Sequence, residues 1–318
     1  MPQQKALLLE KKQGPWVVGS REIETPKPGE LLVKVQAAGL NPIDWKIQTY
    51  GIYVEDFPAI LGMDVAGDVE EVGADVEGFE EGDRIPSKYS YTQVASLPLG
   101  FATATIGLFA EFPRGLGLNP TFDPSVQYKG SAALVIGGSS SVGRYVLQIL
   151  KFSGFSTIIA YASSQHTETL LSLGATDIID RNKVAISDLQ SAVKNITTTP
   201  ISVVYDAIAS PDTQNAGYTV LADDGKMVLT AKPNVDNKLL VESKKLTNVF
   251  GSVYPEPNRP LGKIMYKNLT RWLEEGVFVP NPVEELPNGL AGIADGLERL
   301  KNNQVGSVKL VGKPQETA

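Results

Sequence analysis

The chain contains no cysteine and a single histidine, His166. These absences exclude disulfides, thiolate nucleophiles, iron–sulfur clusters and cysteine-rich zinc sites. A Ser-His-Asp triad would have to be built on His166, which lies in SSQHTET, far from any nucleophile-elbow pattern. Positive charge is also scarce. The formal net charge is −7, and no basic cluster is longer than a pair such as Lys11-Lys12 or Lys244-Lys245. Nucleic acid and acidic membrane surfaces are therefore not expected as partners. No apolar run approaches ~20 residues, so no membrane span is expected. The opening MPQQKALLLEKK lacks the apolar core of a signal peptide, and a cytoplasmic location is the default expectation.

What is present reads as two halves. The length of 318 residues leaves room for two lobes with separate cores. The segments KALLLE, WVVGSREI and ELLVKVQAAGL predict strands, with PKPGE as a turn, and AGDVEEVGADVEGFEEGDRI continues the pattern. This half reads as a small β-rich barrel or rolled sheet. The character changes near Leu97. LPLGFATATIGLFAEF predicts a helix, and from Ser131 strands and helices alternate: AALVIGG, SVGRYVLQILKFSG, STIIAYAS, TETLLSLG, ISVVYDAIA, KMVLTA and LTNVFGSVY. Such alternation predicts a doubly wound parallel sheet, an α/β fold. The tail closes with a helix, GLAGIADGLERLKNNQ, and a strand, SVKLVGKP.

The most informative segment is AALVIGGSSSVGRYVLQ. An apolar strand runs into Gly137 and Gly138, three serines follow, and Val142-Gly143 opens an apolar helix. Glycines allow a tight turn and close backbone approach to a pyrophosphate, and a helix N-terminus offers N–H groups and a positive dipole end. The residues Gly137, Gly138, Ser139, Ser140, Ser141, Val142 and Gly143 thus form a candidate phosphate turn. The next strand ends at Tyr161-Ala162-Ser163-Ser164-Gln165-His166. NAD sites usually place an acid there, about 20 residues on, for the ribose 2′-hydroxyl. No acid appears until Glu168, inside the following helix. Ser163, Ser164, His166 and Arg181 suit a 2′-phosphate instead, though the serines are equally read as helix caps and His166 and Arg181 as surface.

AAGLNPIDWKIQ, PAILGMDVAGDVEEVG, EEGDRI, GGSSSVG and SLGATDIID, in this order, resemble the medium-chain dehydrogenase/reductase superfamily over nearly the whole chain. LPLGFATATIGLF and NPTFDPS…YKG are similar to the fungal ToxD-like group, which includes trans-acting enoyl reductases of polyketide synthesis. The resemblance implies a GroES-like catalytic domain, 1–98 with 265–318 returning to it, and a Rossmann NADP-binding domain, 99–264. Where zinc alcohol dehydrogenases carry metal ligands, this chain has Asn41 and Met63-Asp64, so the resemblance is to the quinone and enoyl reductase branches, which need no metal. It implies Asn41 and Asp44 near the nicotinamide, Lys46 near the substrate, Thr103 facing the nicotinamide ribose or amide, and Gly306 and Ser307 as a tail contact to the cofactor. Phe250, Gly251, Ser252, Val253 and Tyr254 end a late strand near the substrate mouth, and Tyr50 and Tyr53 compete with Lys46 as proton donors.

The family pattern also places barrel-closing strands where Ile85 here runs directly into Pro86. A loss of those strands would expose unpaired edges. The expected activity is NADPH-dependent reduction of an activated C=C bond, in an enoyl thioester or enone, without metal. The alternatives are a quinone reductase and a catalytically impaired nucleotide-binding protein. The expected partners are a small-molecule substrate and an acyl-carrier or polyketide synthase protein, with the chain a monomer or homodimer.

Overall fold

The computed structural model describes residues 2–318, and the chain divides into two compact units, Met1–Leu99 with Pro280–Ala318, and Gly100–Val279. In the first unit, strands β1 (Gln3–Leu9), β2 (Trp16–Glu22) and β3 (Leu31–Gly39) precede helix α1 (Pro42–Tyr50), which starts on Pro42 at its first position and stops at Gly51 in a left-handed conformation. The short β4 (Ala59–Ile60), β5 (Asp64–Val72) and a one-turn helix α2 (Tyr91–Val94) follow. No strand occurs between Val72 and Tyr91, so only the first part of the AGDVEEVGADVEGFEEGDRI segment is extended.

The second unit opens with α3 (Pro98–Phe109), then alternates β6 (Ala132–Ile136), α4 (Ser141–Phe152), β7 (Thr157–Ala162), α5 (Thr167–Leu173), β8 (Asp177–Asp180), α6 (Leu189–Ile196), β9 (Ile201–Asp206), α7 (Pro211–Val220), β10 (Lys226–Leu229), β11 (Lys245–Asn248) and α8 (Arg259–Glu274). All of its strand pairs are parallel, in the order β11-β10-β9-β6-β7-β8. That order winds outward in both directions from β6, and ligands of such sheets bind where it reverses, outside the C-terminal ends of β6 and β9. Every residue of β6 is buried, as expected of a strand covered on both faces. Leu134, Ile136, Val204, Met227 and Leu229 join one continuous core.

The chain returns to the first unit through β12 (Val283–Leu286), α9 (Gly289–Lys301) and β13 (Lys309–Gly312). The first unit thus holds a sheet β2-β1-β4 and a second sheet β12-β13-β3-β5. Two sequence-based expectations are corrected. The return comes at Pro280, not at 265, because α8 belongs to the second unit: Trp272 and Phe278 form an aromatic cluster with Phe122, Phe152 and Phe101. The late strand LTNVFGSVY ends at Asn248, so Phe250–Tyr254 is a loop. The apolar stretch Tyr91–Phe109 is, by composition, long enough to cross a membrane, but 72% of it is buried inside the protein.

Candidate cofactor and substrate site

In the second unit, β6 turns through Gly137, whose φ of +77° lies in the left-handed region. A Cβ on Gly143 would stand 2.2 Å from the Gly137 carbonyl oxygen, and one on Gly138 would stand 2.9 Å from the Ala160 Cβ on β7. No side chain fits at Gly143 without moving backbone. Ser140 is the N-cap of α4: its Oγ accepts from the Gly143 N–H at 3.1 Å. Gly137 to Gly143 therefore fall in one tight turn. It sets the positive end of a twelve-residue helix beside the reversal of strand order, which fits a pyrophosphate. Ser140 spends its hydroxyl on the helix.

The end of β7 gathers the other predicted cofactor residues. Ser163 is buried, and its Oγ accepts from Asn182 Nδ2 at 3.1 Å. His166 is half-buried, and its pKa is lowered by burial first and then by the positive charges of Arg144 and Arg181. Arg181 is exposed. The sequence reading missed Asp180, the last residue of β8. Its Oδ1 accepts from the backbone N–H groups of Ser164 at 3.2 Å and Asn182 at 3.1 Å, and hydrogen bonds from Ser164 hold its carboxyl below the usual range. An acid therefore does reach the end of β7, from the neighbouring strand rather than along the motif. Asp206, at the end of β9, was missed too. It is fully buried, accepts from the N–H groups of Ala209 at 2.8 Å and Ile208 at 3.0 Å, and burial raises its pKa.

Thr103 and the FGSVY loop meet. A Cβ on Gly251 would stand 2.0 Å from Thr103 Oγ1, so glycine at 251 leaves room for the threonine side chain. The Thr103 carbonyl accepts from the Tyr205 hydroxyl at 2.9 Å. Ser252 is buried, and its carbonyl accepts from Asn258 Nδ2 at 2.8 Å. Val253 packs beside Gly262, whereas Phe250 and Tyr254 expose most of their rings.

In the first unit the residues near NPIDWK form a buried polar cluster. Lys309 Nζ donates to Asp64 Oδ2 at 2.7 Å and to Asn41 Oδ1 at 2.6 Å. Asn41 Nδ2 donates to Asp64 Oδ2 at 2.9 Å, and the Leu99 N–H donates to Asp64 Oδ1 at 2.6 Å. The Asn41 amide is thus engaged inside the unit, where it bridges both members of the salt bridge. Lys309 was missed by sequence reading. Its signal was a lysine in an otherwise apolar, buried strand, KLVG, where a charge persists only with a partner. Asp44 accepts from the Asn41 N–H at 2.8 Å. Its other oxygen, Oδ1, is buried without a partner, and burial pushes its pKa up to about 6.

The remaining predicted residues of this unit are less enclosed. Lys46 lies 5.7 Å from the Trp45 ring centre. Tyr53 is three-quarters exposed at a φ of +65°. Gly306 is exposed, and Ser307 has a φ of +60° two residues before Lys309. Among the described residues no three His, Cys, Asp or Glu are grouped as a metal site, and Asp64 is committed to Lys309, so the donor set does not fit Zn²⁺. Between its two sheets the first unit holds a partly open pocket of about 590 Å³, lined by Leu7, Trp16, Val35, Leu40, Asp44 and Leu297 among others.

Comparison with known proteins agrees with this architecture. Residues 27–114 match the alcohol dehydrogenase GroES-like domain, and residues 141–274 match the family described as zinc-binding dehydrogenase. A zinc-type alcohol dehydrogenase-like protein of Schizosaccharomyces pombe is 28% identical, covering 96% of this chain and 99% of its own. That alignment spans 351 positions, more than the 318 residues available here, so the relative carries residues this chain lacks. The trans-enoyl reductase himH of Aspergillus japonicus is 29% identical over 89% of each chain. The crystal structure of CurK enoyl reductase superposes with a TM-score of 0.74 at 20% identity, covering 98% of this chain and 99% of that one, which establishes the shared fold. The chain, a GroES-like unit joined to a Rossmann-type unit, belongs to the medium-chain dehydrogenase/reductase superfamily.

Proposed function

We propose that the protein reduces an activated C=C bond, in an enoyl thioester or enone, with NADPH and without a metal ion. The observation that carries this reading is the Lys309–Asp64–Asn41 cluster. A buried ammonium neutralises the carboxylate that a metal would otherwise attract, which supports a reaction that needs no Lewis acid. The himH enzyme is a trans-enoyl reductase by name, which supports the choice of acceptor.

The residues divide the work as follows. The Gly137–Gly143 turn and the first turn of α4 would hold the pyrophosphate, with Ser163, His166 and Arg181 toward the adenosine ribose. Reduced nicotinamide, when bound, supplies a hydride for the β-carbon of the acceptor. Thr103, whose side-chain space Gly251 preserves, would hydrogen-bond the acceptor carbonyl or the cofactor amide. A proton must reach the α-carbon, and Lys46 or Tyr53 would deliver it directly or through water. Gly306 and Ser307 would steady the cofactor.

The test follows NADPH oxidation with panels of enoyl thioesters, enones and quinones, with and without EDTA. Turnover of enoyl thioesters or enones that survives chelation is expected. Turnover of simple alcohols restored only by Zn²⁺ would overturn the reading. Tight NADPH binding with no turnover of any acceptor would make the chain a nucleotide-binding protein without catalysis.

A further inference from the structure

Arg144 is a largely buried cation whose Nε has no hydrogen-bond partner. It is the fourth residue of α4, directly after Gly143. Only 6% of it is exposed. Among the described residues no carboxylate forms an ion pair with Arg144, His166 or Arg181. The acid in this region, Asp180, is engaged with the N–H groups of Ser164 and Asn182. A buried guanidinium N–H without an acceptor is costly, and a bound anion would supply the acceptor.

Helical side chains point back toward the N-terminus, which carries the Arg144 guanidinium toward the phosphate turn. Helix α4 packs on α5 and β7, and His166 stands at the junction of those two elements. Arg144 and His166 influence each other electrostatically, which fits a guanidinium near the end of β7. In a dinucleotide fold that side receives the adenosine ribose, while the pyrophosphate takes the helix axis.

We infer that Arg144 is the buried half of the site for the adenosine 2′-phosphate, opposite the exposed Arg181, and so determines preference for NADPH over NADH. This rests on the NADPH reading given above. The phosphate would accept charge-assisted hydrogen bonds from a planar donor whose Nε has no other acceptor.

The experiment titrates NADPH, NADH, 2′,5′-ADP and 5′-AMP against wild type, Arg144→Met and Arg144→Lys by fluorescence or calorimetry, with melting temperatures recorded. Arg144→Met should weaken NADPH and 2′,5′-ADP by roughly 10–100-fold, the scale of a lost charge-assisted bond. NADH and 5′-AMP should change less than about threefold on the same scale, and Arg144→Lys should recover part of the loss. If the methionine variant does not fold, Arg144→Gln, which stays polar but removes the charge and shortens the side chain, should show the same loss of discrimination. Equal weakening of both cofactors, or unchanged NADPH affinity, would overturn the assignment. Wild type that binds NADH as tightly as NADPH would overturn the NADPH reading itself. A wild-type preference that survives Arg144→Met would overturn only the role of Arg144.

Discussion

The two units are stabilised by different means. In the Rossmann-type unit every residue of β6 is buried, and one apolar core spans five strands and their helices. In the GroES-like unit β2 has no fully buried residue, two apolar clusters hold four buried residues each, and a partly open pocket of about 590 Å³ lies between the sheets. Val17, Val18, Ile60 and Val65 are exposed. The lesson is that an incomplete apolar core puts more weight on its buried polar cluster.

The largest expected effect breaks that cluster. Lys309→Met leaves the Asp64 carboxylate buried without its cation, at a cost of about 3–5 kcal/mol. Calorimetry should then show the GroES-like unit melting well before the Rossmann-type unit. A single unchanged transition would mean that the cluster does not hold the unit.

Next in size is pH. The Asp44 carboxyl is raised from the ordinary 3.8 to about 6, so the folded state holds a proton that the unfolded chain releases earlier. Its contribution favours folding below pH 4 and is lost as pH rises to 6, over a range of roughly 3 kcal/mol. Urea midpoints of wild type against Asp44→Asn should diverge across that interval, with the variant flatter. Parallel profiles would remove Asp44 as the source.

The last comparison tests packing directly. Leu134→Ala, inside the continuous core, should cost about 2–5 kcal/mol. Leu7→Ala, on the pocket wall, should cost about 1 kcal/mol, since the space beside it is already open. Equal losses in urea unfolding would show that the pocket is filled in solution.

The sequence was most legible where backbone sterics dictate residue type. Gly138 and Gly143 announced the phosphate turn, because only glycine leaves room for Ala160 and the Gly137 carbonyl. Alternation of apolar strands and helices announced the parallel sheet. Contacts made across strands were hidden. Asp180 reaches the end of β7 from β8, and Lys309 reaches Asp64 from the far end of the chain. Arg144 stood in plain view within the motif, but its unpartnered Nε is a consequence of burial, which a linear reading cannot supply. The FGSVY loop failed as a strand because β11 stops at Asn248, where the residues turn to pack around Thr103 and Gly262.

The salt bridge between Asp64 and Lys309 joins residues 245 positions apart, and that separation sets an order of events during synthesis. The ribosome delivers Asp64 before the Rossmann-type unit and Lys309 after it. Domains fold as units while the chain emerges, so the Rossmann-type unit is complete while the GroES-like half still waits for its cation. Through that interval the nascent first unit is a half-built sheet with a charged interior. Its protection from proteases should appear only after β13 has left the exit tunnel.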